Sequence, residues 1–109
     1  MTFIAEMRLR ILGIDYEVKE VYDMSRICSA TGHFDSLLKE IRIDKDLHAS
    51  EKQRVILHEL LELLNRELDL NLDHNQQINK LDAGLFHIFK DNPQLLKMLL
   101  DQPFEDIPK

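Results

Sequence analysis

The sequence predicts an α+β domain: a small antiparallel sheet of three to four strands, then two main helices and a short C-terminal helix. Three observations carry this. Apolar and polar residues alternate around Leu9, Ile11, Tyr16 and Val18 and again around Ile41 and Ile43, the period of a half-buried strand. After Ser50 the apolar spacing changes to threes and fours, that of one helical face. The strands precede the helices instead of interleaving with them, which argues against a parallel-sheet protein.

Taken in order, residues 8–12 and 16–20 form a hairpin rich in β-branched and aromatic residues, with Gly13 supplying a positive φ at the turn. Residues 24–30 fit either a short helix or a loop. Thr31-Gly32 is a turn signal, and residues 33–37 with 40–44 form a second hairpin. Ser50 and Gln53 have the spacing of a capping box and place the main helix at residues 51–68, with Ile56, Leu57, Leu60, Leu61, Leu64 and Leu68 as its core stripe. Asp73 and Gln76 repeat that spacing for a second helix whose stripe is Ile78, Leu81, Leu85 and Ile88 or Phe89. The helix stops at Asp91-Asn92, because the residue before a proline disfavours helical angles. Pro93 then opens a third helix to about residue 100, capped by Asn92. Residues 102–109 are expected to be a loosely attached tail.

The 109 residues, 44% apolar and 31% charged, suit one soluble domain. No apolar run approaches the length of a membrane span and no secretory leader is visible, so the expected compartment is the cytoplasm. The single cysteine, Cys28, has no disulfide or zinc-ribbon partner and reads as a packed thiol. A net charge of −6 without a basic stripe excludes nucleic-acid binding driven by phosphate attraction. No Ser-His-Asp triad or phosphate-cradling glycine loop can be assembled.

The chemistry concentrates on the main helix. His58 and Glu62 are four residues apart, so both project to one side and can reach one metal ion. Glu59 follows His58, giving the H-E-x-x-H arrangement with its second histidine replaced by glutamate, Glu62. The competing reading is an ordinary imidazole–carboxylate pair on a helix surface. His74 lies four residues before Ile78 and is either a first-turn polar residue or a third donor. Asp82 borders the apolar stripe and needs a partner, which a metal, His58, Arg54 or Lys80 would supply. His33, His48 and His87 read as surface residues.

This order of features resembles a minimal zincin, and in particular the short phage- and prophage-type relatives of the ImmA/IrrE-like metallopeptidases. The residues that carry the resemblance are Gly32-His33-Phe34-Asp35, Glu40-Ile41-Arg42-Ile43-Asp44, Ile56-Leu57-His58-Glu59-Leu60-Leu61 and Leu81-Asp82-Ala83-Gly84-Leu85. It implies His58 as first metal ligand and Glu59 as general base, with Glu62 where the second histidine should stand. A third ligand is implied near the start of the second helix, among Asp73, His74, Asn75, Gln76 and Gln77, with Asp82 the only carboxylate further inside. The ion would be zinc, or a harder one such as manganese because a carboxylate replaces an imidazole, or none. The implied substrate or partner is a peptide or protein, lying along residues 40–44 as the edge of the sheet. A site that has lost its metal would leave a non-catalytic interaction module with the same groove.

Overall fold

In the computed structural model, which describes residues 7–22 and 31–101, the fold is α+β with a four-stranded mixed sheet and three helices. The expectations for residues 24–30, Cys28 and the 102–109 tail lie outside the described residues. The strands are β1 (Met7–Ile11), β2 (Ile14–Val21), β3 (Gly32–Asp35) and β4 (Glu40–Asp44). The helices are α1 (Ala49–Glu67), α2 (Asn79–Asp91) and α3 (Pro93–Asp101). No helix among the described residues is long and apolar enough to cross a membrane.

Both hairpins form as expected from their alternation. Leu12 and Gly13 turn the first at φ 52° and 83°, both in the left-handed region that a two-residue hairpin loop requires. The second strand pair is shorter than the sequence suggested, ending at Asp35 instead of Leu37. The Asp35 carboxylate accepts the Leu37 and Leu38 N–H groups at 2.9 and 3.0 Å, closing the turn early and holding its own carboxyl below the usual range.

Two sheet expectations need correction. The sheet is not wholly antiparallel: its order is β1-β2-β4-β3, and β2 pairs with β4 in parallel, Glu17 opposite Glu40 and Val21 opposite Asp44. Residues 40–44 therefore form an interior strand, and the edge beside α1 is β3. Alternation fixes which face a residue takes but carries no information on the direction of its partner strand.

Tyr16, Val18, Ile41, Ile43 and Leu63 make the buried core, with Leu9, Ile11, Phe34, Val55, Ile56 and Leu60 packed around it. The other sheet face carries a ladder of alternating charge, Lys19 to Glu40 at 2.6 Å and Glu40 to Arg42 at 3.0 Å. Such half-exposed pairs are screened by solvent and add little to stability. Their larger effect is to keep this face wet and the helices on the other.

Helix α1 begins two residues earlier than expected. His48 is its N-cap, and Glu51, three residues on, accepts the His48 backbone N–H at 3.2 Å, in place of the Ser50 and Gln53 pair. Its sheet-facing line is also rotated: the buried positions are Lys52, Glu59 and Leu63, while Leu68 is exposed. Lys52 is satisfied by an ion pair with Glu20 of β2. On α2 the inward line runs through Ile78, Asp82, Leu85 and Phe89, and Leu81 and Ile88 face out. Asn92 closes α2 by donating to the Ile88 carbonyl at 2.9 Å instead of capping α3 with its side chain.

Candidate metal centre

Two neighbouring elements bring the site together. On α1, His58 and Glu62 stand one turn apart on the side facing α2, and Glu59 between them turns toward the sheet. The link after α1 is tied back by Asn65, whose amide donates to the Leu72 carbonyl at 3.1 Å while its oxygen accepts the Leu72 N–H at 2.8 Å. Asp73 then caps the next helical turn, its carboxylate accepting the Gln76 N–H at 2.7 Å. Of the Asp73–Gln76 capping box expected from the sequence, the Asp73 half is present, while the return bond to the Asp73 N–H, at 2.7 Å, comes from Gln77 and not Gln76.

The first turn after this cap, His74–Ile78, is a π-helical turn, with the Ile78 N–H reaching back five residues to the Asp73 carbonyl at 2.9 Å. In so wide a turn, residues four apart share nearly the same bearing. Burying Ile78 against the core consequently holds His74 over α1. The His74 ring meets the edge of His58 with centroids 5.0 Å apart, and its Nδ1 lies 2.6 Å from Glu62 Oε2.

His58, Glu62 and His74 thus each offer one donor atom, all within 4.8 Å of one another. Four-coordinate zinc with bonds near 2.0–2.1 Å separates its donors by about 3.3 Å. Sub-ångström to ångström side-chain shifts would reach that spacing, and the donor set, two imidazoles and a carboxylate, is one that zinc accepts. The residues present fit a divalent ion. A surface pair unrelated to α2 would diverge from it, which is not the arrangement found.

Asp82 takes a different place from these three. Its Oδ2 lies 2.5 Å from His58 Nδ1, and its Oδ1 accepts from Arg54 Nη2 at 3.3 Å. Both partners anticipated for it on α1 are therefore used at once. With Nδ1 engaged by Asp82, Nε2 is the ring nitrogen left open, the arrangement by which outer carboxylates orient metal-binding histidines. His33, His48 and His87 are exposed, away from the cluster.

Glu59 is only 7% exposed. Among the described residues its carboxyl has no hydrogen-bond partner, yet it lines a cleft of about 600 Å³ together with Gly32, Arg54, His58, His74 and Asp82. Burial pushes its pKa up to about 7, with Glu62 adding to the rise and the two histidines opposing it. The backbone of β3 lies directly on this side chain. A Cβ placed on Gly32 would overlap Val55 and come within 3.1 Å of Glu59 Oε2. Gly32→Ala is therefore expected to destabilise the protein by about 1–3 kcal/mol by lifting the edge strand from α1, as a thermal melt would read.

Sequence reasoning did not single out Gly32 or Asn79 as lining residues, nor Arg54 as more than a partner for Asp82. For Arg54 the signal was available, since it precedes His58 by four residues. Comparison with protein-family models, curated proteins and solved structures finds no match to this chain.

Proposed function

We propose that this chain is a metal-dependent peptidase of the zincin type, as its resemblance to the ImmA/IrrE-like proteins implies, with Glu62 in place of the second histidine. The observation that carries this reading is the convergence of His58, Glu62 and His74 from two elements beside a buried glutamate. A divalent ion held there would polarise a peptide carbonyl and acidify water. His58 Nε2, a Glu62 oxygen and a His74 ring nitrogen would hold it, while Asp82 fixes the His58 ring. Glu59, with a pKa near 7, accepts a proton at its carboxylate and can return it to a leaving amine. The cleft lies beside edge strand β3, whose outer main-chain groups can pair with an extended peptide.

One observation favours a second reading. His74 and Glu62 at 2.6 Å are closer than two ligands of one zinc ion and already satisfy each other. A module that binds a peptide along β3 without cutting it would keep this pairing.

Titration of tag-free protein with zinc and with manganese separates the two. The peptidase reading expects one equivalent of metal, with affinity lowered at least about a hundredfold in each of His58→Ala, Glu62→Ala and His74→Ala. It further expects metal-dependent cleavage of a mixed peptide library. Protein that takes up neither metal, and cuts nothing in its presence, is the binding module instead.

A further inference from the structure

Among the described residues lining the cleft, Arg54 is the one arginine or lysine, beside two histidines, His58 and His74, and three acidic side chains, Glu51, Glu59 and Asp82. By net charge alone the cleft would prefer a cation. The held geometry of Arg54 argues otherwise. Its side chain is half exposed, and its contact to Asp82 engages one nitrogen, at 3.3 Å. A guanidinium has five N–H donors in a planar fork suited to a carboxylate, so most of this fork remains for the cleft. Asp82 anchors the group from behind while its own second oxygen is occupied by His58. Asn79 lines the same cleft, and an amide side chain can add a further donor.

Resting on the peptidase reading, we infer that Arg54 is a specificity residue that binds a carboxylate of the peptide substrate. Arg54 and His58 are four apart on α1, with Cβ atoms about 5–6 Å from one another. An extended peptide advances roughly 3.3 Å per residue, so the carboxylate belongs one or two residues from the bond presented to His58. It comes either from a free C-terminus or from an acidic side chain at that distance. The first would make the protein trim chain ends, the second would make it cut internally beside Asp or Glu.

The test is binding to the full chain carrying Glu59→Gln, with and without zinc, read by NMR and calorimetry. The probes are N-acetyl-Gly-Leu, its C-terminal amide, N-acetyl-Gly-Asp-amide and N-acetyl-Gly-Lys-amide. Expected is binding of the free acid about tenfold to a hundredfold tighter than its amide, a shift of the Arg54 side-chain resonance, and loss of that preference in Arg54→Gln. Arg54→Lys keeps a cation beside Asp82 without the fork, and should fold, retain zinc and lose most of the preference. Tight binding of the Asp amide and not the free acid supports the proposal with an internal acidic residue as the source. Equal binding of acid and amide probes, preference for the Lys amide, or no binding of any probe overturns it. Zinc affinity is read separately in the same samples, so loss of the metal reading and loss of the carboxylate site are distinct results.

Discussion

On the peptidase reading, Glu59→Gln is expected to slow metal-dependent cleavage by about 10²–10⁴-fold, and at the same time to make the metal-free protein more stable. The second effect comes from the burial of the same group. In the unfolded chain a glutamate ionises near its ordinary value of 4.5, but in the fold Glu59 holds its proton up to about 7. A folded pKa raised above the unfolded one means stability fully present below pH 4.5, lost as pH rises to about 7, and constant beyond. Glutamine keeps the shape and removes the charge. The gain should therefore reach up to about 3 kcal/mol above pH 7 and vanish below pH 4.5. Denaturant melts of both proteins between pH 4 and pH 8 read this directly. A gain that does not grow across that range would show that Glu59 is not held in a dry environment.

Asp82→Asn is expected to weaken zinc affinity by about tenfold to a hundredfold without touching any of the three donors. Asp82 is 4% exposed and serves His58 and Arg54 together. An ionised carboxylate accepts only, so it holds the proton of His58 on Nδ1 and leaves Nε2 with its lone pair. An amide can rotate and donate to Nδ1, which moves the proton to Nε2 and removes the donor atom. Arg54 would also lose its ion pair, a half-exposed contact that solvent screens, at a cost of about 0.2–1 kcal/mol in stability. Zinc titration and a thermal melt of the same variant separate the two losses. An unchanged zinc affinity would place Asp82 in a purely structural role.

Much of this arrangement was legible from residue spacing. The two hairpins, the three helices and the meeting of His58 with Glu62 stem from periods of two and 3.6, which backbone geometry imposes locally. Asp73 advertised its cap. What spacing could not carry was the partner of each strand, so β4 moved from the edge to the interior. The inward line of α1 was obscured because two of its three most buried residues, Lys52 and Glu59, are charged. Lys52 is accounted for only by Glu20, thirty-two residues earlier, a pairing that no local pattern reports. Which side chain among Asp73 to Gln77 faces His58 and Glu62 is set by a π-helical turn, and hydrophobic periodicity does not resolve one extra residue in a turn.

The tie between Asn65 and Leu72 gives the site an asymmetry in contact range. His58, Glu62 and His74 lie within seventeen consecutive residues, and the helix, the stapled link and the wide turn that aim them are all local. The dry surroundings of Glu59, in contrast, depend on a strand from far earlier in the chain, closing over it at Gly32. The convergence of the three candidate donors and the burial of Glu59 therefore rest on different parts of the fold. A fluctuation that peels β3 away would leave His58, Glu62 and His74 together while Glu59 reverts to an ordinary, wet carboxylate. If the peptidase reading holds, metal occupancy would survive such an opening and cleavage would not.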